Sequence, residues 1–228
     1  MRKQICFLIY FGIAQAAFSQ TDSVVFAGKT GNDGNATLYN GRVHVGYLNS
    51  IEGSAYYGAN EWQSGTLIFQ GVPYRDVLLK YDLVADEVLV LHPNGFTGVT
   101  LFTPRIQSFR LGDRSFVALP DHQPSDLKAG LYEELSKGKV SLYAKRSKLI
   151  KETTITTGVE RKFIDQSFYY IWKDDAYYAV RNEKAIFDIL VDKKNDLADW
   201  MKASNINYKS SPENALLRIV AYYNQLSL

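Results

Sequence analysis

The sequence has little cysteine, little net charge and no long apolar run. Cys6 is the only thiol among 228 residues, which excludes a disulfide framework and a multi-cysteine zinc site. No stretch comes near the ~20 apolar residues that a membrane-spanning helix requires. With 26 Lys and Arg against 24 Asp and Glu, the chain lacks the excess positive charge of a nucleic-acid-binding protein. The 46% of hydrophobic residues indicate a packed domain instead.

The N-terminus has the pattern of a secretory signal peptide. A short basic start is followed by the apolar run Ile5–Phe11 and then by small residues. Ala17 and Ser19 suit positions −3 and −1 of a cleavage site, so residues 1–19 are predicted to be removed before Gln20. The alternative is an ordinary N-terminal core element. After cleavage the chain would be exported, free of cysteine and formally neutral, with 24 basic and 24 acidic residues.

Residues 20–182 are predicted to be rich in antiparallel β-structure. Short apolar runs alternate with brief turns such as His92-Pro93-Asn94-Gly95, which is the pattern of a β meander. Two later hairpins are predicted, the first pairing 130–135 with 139–149 and the second pairing 168–172 with 177–180. The Pro-containing stretch at 120–127 is a possible seam between two parts of this region.

Residues 183–228 show a helical period instead. Asn182 can cap a first helix, Asn195 or Asp196 can start a second, and Ser211-Pro212 can start a third. Strands followed by helices predict an α+β fold. We expect an antiparallel β meander or curved sheet, followed by C-terminal amphipathic helices packed on it.

Several segments resemble one group of proteins. The run from Gly65 to Asp82, the following segment 86–90, the stretch 138–146 and the ending 192–223 resemble uncharacterised secreted proteins of the Bacteroidetes cell envelope. The resemblance extends over most of the mature chain. It implies an exported protein that is periplasmic, outer-membrane-associated or extracellular, and it implies no activity and no catalytic residue.

The residues that usually carry catalysis are sparse. His44, His92 and His122 are the only histidines, and their spacing matches no metal-binding or base motif. No nucleophile elbow and no phosphate-binding loop occurs, so no cofactor and no metal is predicted. The carboxylate pair Asp82 and Asp86, close in sequence to Tyr81, allows an alternative interpretation as a hydrolase acting on envelope polysaccharide.

Aromatic residues are the strongest candidates for binding. Tyr and Trp combine apolar area with a polar group, which favours them at recognition surfaces. Two groups are predicted on this basis, one in a Gly- and Asn-containing loop and one in the second hairpin: Tyr56, Tyr57 and Trp62, and Tyr169, Trp172 and Tyr177. The hairpin rings occupy both faces, so the helices are expected to cover one face.

The preferred prediction is a non-enzymatic secreted or periplasmic module of the cell envelope. Its predicted partner is an envelope protein or an amphipathic or glycan ligand, with no nucleic acid and no transmembrane segment in the mature chain. Two carboxylates in a cleft beside Trp62 would favour the hydrolase. A sheet that is flat or covered by helices would favour the binding module.

Overall fold

The computed structural model describes residues 37–122 and 126–227. The predicted signal peptide therefore lies outside the described residues. The described residues form twelve strands: β1 Arg42–Val43, β2 Ile51–Glu52, β3 Gln63–Phe69, β4 Val72–Asp82, β5 Glu87–Leu91, β6 Gly98–Thr100, β7 Ile106–Leu111, β8 Arg114–Leu119, β9 Gly130–Ser136, β10 Ser141–Ile155, β11 Gly158–Lys173 and β12 Ala176–Val180. Three α-helices follow: α1 Glu183–Ile189, α2 Lys194–Ala203 and α3 Pro212–Leu226. The α+β class is confirmed, and most of the regular structure is sheet.

All the strands belong to one open sheet. Its order is β1-β6-β5-β4-β3-β7-β8-β9-β10-β11-β12, and β2 pairs in parallel with β11. The order differs from a single meander because the chain returns after β6 and pairs β7 with β3. The predicted seam at 120–127, of which 123–125 lie outside the described residues, connects β8 to β9, and these two strands pair with each other.

Local sequence explains the tight turns. Asp174 and Asp175 form the two-residue connection between β11 and β12, and both have positive φ angles of 50° and 58°. Gln70 and Gly71 connect β3 to β4 in the same way, with φ angles of 55° and 75°. Asp and Gly tolerate this left-handed conformation, which the preferred two-residue hairpin turns require.

The three helices begin at or next to the predicted residues, but only α1 has the predicted capping hydrogen bond. The side chain of Asn182 accepts a hydrogen bond from the amide of Ala185 and caps α1 as predicted. The second helix begins at Lys194, one residue before the first predicted start. The third begins at Pro212, but the hydroxyl of Ser211 makes no capping hydrogen bond. None of the helices in the described part of the chain is both long and apolar enough to cross a membrane.

One face of the sheet carries two of the three hydrophobic clusters. The first cluster contains Phe109, Phe116 and other residues of β3 to β9. The second joins Leu142 of β10 and Ile171 of β11 to the buried residues of the helices, such as Leu216 of α3. The strand registers place these side chains on the same face. The helices thus cover one end of the face that the first cluster occupies.

The opposite face carries the third cluster. It contains Leu127, Tyr132, Tyr143 and Tyr170, and the partly buried rings of β11 and β12 pack against it. Leu127 comes from the connection between β8 and β9 and is fully buried. This connection therefore covers part of the face that the helices leave open.

A charged network lies between the first and second clusters. Arg146 of β10 donates from Nε to Glu133 Oε2 and from Nη1 to Glu213 Oε2, both at 2.6 Å. The Glu133 side chain is only 1% exposed and also lies 3.2 Å from Nη1 of Arg114. Burial lowers the pKa of Arg146, but its bonds to the two carboxylates outweigh burial and raise it above its ordinary value. The network joins the start of α3 to the middle of the sheet.

The sheet also curves back on itself. The turn after β4 reaches the free edge of β10, where the amide of Lys148 donates to the carbonyl of Leu83 at 2.9 Å. Lys145 Nζ lies 2.5 Å from Asp86 Oδ2 in the same turn. These bonds occupy the part of β10 just beyond its pairing with β9. Beyond Lys148, β10 continues with β11 as a two-stranded hairpin.

Candidate functional site

Tyr56 and Trp62 lie together in a cluster with Lys80 and His44. The Nζ atom of Lys80 is 4.7 Å from the Trp62 ring centroid and 4.9 Å from that of Tyr56. Lys80 also donates to Asn60 Oδ1 at 2.7 Å. The phenol oxygen of Tyr56 and Nε2 of His44 share a hydrogen bond of 2.8 Å. Cation–π contacts and hydrogen bonds thus fix these side chains to one another.

The surroundings of this cluster oppose ionisation. Burial raises the pKa of Tyr56 and lowers those of His44 and Lys80. The Trp62 ring packs against Gly98, where an added Cβ would come within 3.3 Å of it. The contacts of Trp62 are thus largely internal, and its half-buried ring adds stability to this end of the sheet.

Tyr57 lies apart from its neighbour Tyr56. Its ring stands edge-on to Phe116 at a centroid distance of 5.1 Å, within the first cluster. Its hydroxyl donates to Glu133 Oε1 at 3.3 Å. Burial and the charge of Glu133 raise the pKa of Tyr57 to about 12. Tyr57 therefore belongs to the charged network and keeps its proton at neutral pH.

The three aromatic residues of the second hairpin lie on opposite faces. Tyr169 packs against the second cluster beneath the helices, and its hydroxyl donates to Glu213 Oε2 at 2.9 Å. Trp172 and Tyr177 lie on the other face, with ring centroids 4.5 Å apart. His122 stands edge-on to Tyr177 at 5.3 Å. The six predicted residues are therefore divided among four environments and do not form one site.

The predicted strands do not include the far ends of β10 and β11, which are highly exposed. Residues 149–155 of β10 and 158–164 of β11 form a two-stranded extension, here called the ribbon. All residues from 151 to 160 are exposed. Only 139–149 and 168–172 were predicted as strands, because many charged residues and threonines lie between them. Apolar residues recur at 150–155 and 159–164, on the two sides of the turn Thr156-Thr157. This pattern was the signal that could have identified the hairpin.

One face of the ribbon is covered by another part of the chain. Ile150 and Phe163 are opposite each other across the two strands. The ring of Tyr47 stands edge-on to Phe163 at a centroid distance of 5.4 Å. Gly53 approaches the same ring, since an added Cβ would lie 3.8 Å from Phe163 Cβ. The short β2, which pairs with β11, holds this covering segment in place.

The other face of the ribbon exposes large apolar side chains, and it continues along β11 to Phe168. This face, from the tip to Phe168, is here called the open face. Leu149 is opposite Ile164, and each is 38% exposed. Ile155 lies near the tip and Phe168 at the base, with exposures of 37% and 52%. Side chains alternate along a strand, so the register places all four on this face. Trp172 lies on the same face, four residues beyond Phe168.

The carboxylates next to the first aromatic cluster are bound within the fold. Asp82 is fully buried, and Tyr47 donates to its oxygens at 2.9 and 3.1 Å. Asp86 accepts a hydrogen bond of 2.6 Å from Tyr81 in addition to its contact with Lys145. This is the environment of structural carboxylates, so the pair adds no support for a hydrolase. In residues 37–122 and 126–227, no group of three or more His, Cys, Asp or Glu is placed to hold a metal ion.

Comparison with protein-family models, curated proteins and solved structures gives no match for this chain. Its function must therefore be argued from the geometry. The packing of the described residues does not explain why the open face exposes large apolar side chains.

Proposed function

We propose that this chain is a non-enzymatic, exported module of the cell envelope that binds a protein partner through the open face of the ribbon. The exposed side chains of Leu149, Ile155, Ile164 and Phe168 support this function, because they lie in one line on one face. Scattered exposed apolar residues are ordinary on protein surfaces, but adjoining ones, such as the cross-strand pair Leu149 and Ile164, mark interaction sites.

The dimensions of this surface suit a protein better than a small ligand. At about 3.3 Å per residue, the stretch of β11 from Gly158 to Phe168 is roughly 33 Å long. Such a surface is narrow and exposed, whereas small-molecule sites are enclosed and concave. A partner that completes the burial of each of the four side chains would gain about 1 kcal/mol per side chain, since part of each is already buried.

Charged residues restrict how the open face can be used. Lys151 and Lys162 are opposite each other between the apolar pair and the tip. Lys162 forms an ion pair of 2.8 Å with Glu52 of β2. Lysines on exposed strands oppose uncontrolled edge-to-edge aggregation. The open face therefore combines exposed apolar side chains, which can bind a partner, with lysines that disfavour self-association.

The test is affinity purification of partners from detergent-solubilised envelopes of the source organism. The bait is the tagged mature chain, compared with the double variant Leu149→Thr and Ile164→Thr. A matched control is Val72→Thr with Leu78→Thr on β4, whose side chains are 46% and 40% exposed. All three proteins should unfold at similar temperatures, because exposed substitutions change stability by only about 0.5 kcal/mol.

We expect the unsubstituted bait and the control to recover the same partner and the ribbon variant to lose it by about tenfold or more. Equal recovery with the ribbon variant would contradict the proposed surface. Cleavage of envelope glycans by the purified protein, without any reproducible partner, would contradict the non-enzymatic function itself.

A further inference from the structure

The outer edge of β10 is unpaired along the ribbon. Beyond Lys148, whose amide bonds to Leu83, no strand among the described residues pairs with this edge. The backbone groups of successive residues in a strand point to opposite sides. Ile155 and Gly158 flank the two-residue turn of the hairpin and therefore bond to each other. Both observations show that the amides and carbonyls of alternate residues point outward, namely those of Ile150, Glu152 and Thr154.

This edge is complementary to a second copy of itself. Two β10 strands can pair antiparallel about a two-fold axis at Glu152, which is the longest pairing that the free residues 149–155 allow. On the open face this pairing places Leu149 opposite Ile155 of the second copy. The two form a non-hydrogen-bonded pair, in which side chains lie closest. Because Ile164 is opposite Leu149 within each copy, an apolar row runs across both ribbons.

The covered face of the ribbon matches in the same way. The pairing about Glu152 places Ile150 opposite Thr154 of the second copy. Within each copy, Ile150 is opposite Phe163, and Thr154 is opposite Val159, which is 50% exposed. The pairing therefore continues the apolar rows of one ribbon into the other on both faces.

The position of Lys151 selects this register. In the pairing about Glu152, Lys151 lies opposite Thr153 of the second copy, and Glu160 is the next residue in that row. A two-fold axis at residue 151 would instead place the two Lys151 side chains opposite each other, and like charges directly opposite are destabilising. The lysine thus disfavours self-association in that register and is compatible with the axis at Glu152.

Two features limit the strength of such a pairing. The two Glu152 side chains are opposite each other at the axis, although each is bonded at 2.6 Å to Arg161 of its own copy. A single pair of short strands also forms a small interface, and small interfaces are typical of weak association. The edge therefore suits a reversible dimer.

We propose that two copies of this chain associate reversibly through their β10 edges, so that their ribbons form one four-stranded antiparallel sheet. The same residues of both copies form the interface, so the assembly closes at two copies. The dimer uses the edge of the ribbon and leaves the open face of each copy exposed. The inference therefore goes beyond the function proposed above and does not depend on it.

The test is sedimentation equilibrium of the purified mature chain between about 10 µM and 1 mM, since we expect a dissociation constant on the order of 100 µM. The variant Thr154→Pro removes an outward amide that the hairpin does not use, and proline is tolerated on edge strands. It should weaken the dimer by about tenfold or more, because it removes one hydrogen bond from each copy. A chain that stays monomeric at the highest concentration, or a dimer that Thr154→Pro leaves unchanged, would overturn the proposal.

A second variant tests the register without introducing proline. Glu152→Gln removes the repulsion at the axis and should tighten the dimer by about two- to fivefold. Glu160→Gln is the matched control, because it removes another exposed carboxylate of the ribbon that lies away from the axis, and it should not tighten the dimer. Equal tightening by both variants, or no tightening by Glu152→Gln, would contradict an axis at Glu152.

Discussion

Arg146 offers the most informative test of how the helices are joined to the sheet. The substitution Arg146→Met keeps most of the side-chain volume and removes the guanidinium that contacts two carboxylates at 2.6 Å. Glu133 is then left with Arg114, at 3.2 Å, as its remaining cationic partner. Because the Glu133 side chain is only 1% exposed, water cannot replace the missing charge.

The expected magnitude follows from this burial. Removing one partner of a buried ion pair costs about 3–5 kcal/mol. The remaining contact with Arg114, whose side chain is 46% exposed, places the expected loss at the lower end, about 3 kcal/mol. For a chain of this size such a loss lowers the melting temperature by about 6–12 °C.

The assay is urea unfolding at neutral pH, followed by tryptophan fluorescence. The control is Arg161→Met, because Arg161 and Glu152 also form a 2.6 Å pair, but their side chains are 37% and 57% exposed. The control should lose no more than about 1 kcal/mol. The double variant Glu133→Leu with Arg146→Met should recover most of the stability, since apolar groups can replace a buried pair. A loss for Arg146→Met no larger than that of the control would refute the reasoning.

Four further substitutions probe the caps, the sheet and the pH dependence by the same unfolding assay. Asn182→Ala should cost about 1 kcal/mol because its side chain caps α1, whereas Ser211→Ala should cost less than about half of that, since its hydroxyl makes no cap; equal losses would contradict the assignment. Gly65→Ala should cost about 2–3 kcal/mol, because the added Cβ meets the backbone carbonyl of Arg110, and an unchanged stability would show that β3 and β7 can move apart. Burial raises the pKa of Glu213, but the arginine bonded to it outweighs burial and holds that pKa below its ordinary 4.5. Ionised Glu213 therefore stabilises the fold above the unfolded pKa, so the loss from Glu213→Gln should be largest at neutral pH and shrink as the pH falls through the folded pKa; a loss independent of pH would contradict this coupling.

Local signals made part of this fold predictable. Asn182 precedes a helix, and Asp174 and Asp175 lie between two alternating runs. The local structure at each of these positions depends on only a few neighbouring residues. The pairing of β3 with β7 depends on contacts between distant residues, and no short pattern encodes it. The α+β class could therefore be predicted from the sequence, but the return of the chain after β6 could not.

The candidate site was harder to predict for a related reason. The sequence shows that aromatic residues are dense in two stretches, but it does not show which face each ring occupies. Tyr56 and Tyr57 are neighbours in sequence, yet Tyr56 contacts His44 and Lys80 while Tyr57 bonds to Glu133. Successive side chains of an extended segment point in opposite directions, which separates the two rings. The register of distant strands then determines which residues each ring contacts.

The ribbon differs from the other exposed surfaces in how little of it the rest of the chain covers. Isolated two-stranded hairpins are marginally stable in water, and this one gains cover on only one face, from Tyr47 and the segment around Gly53. Its open face leaves 38% of the surface of Leu149 and of Ile164 exposed. Exposing an apolar pair on a marginally stable hairpin costs less free energy if a partner protein covers the pair. Binding of the proposed partner would then stabilise the ribbon as well as attach the module, because the side chains proposed to bind it are those that the fold itself leaves uncovered.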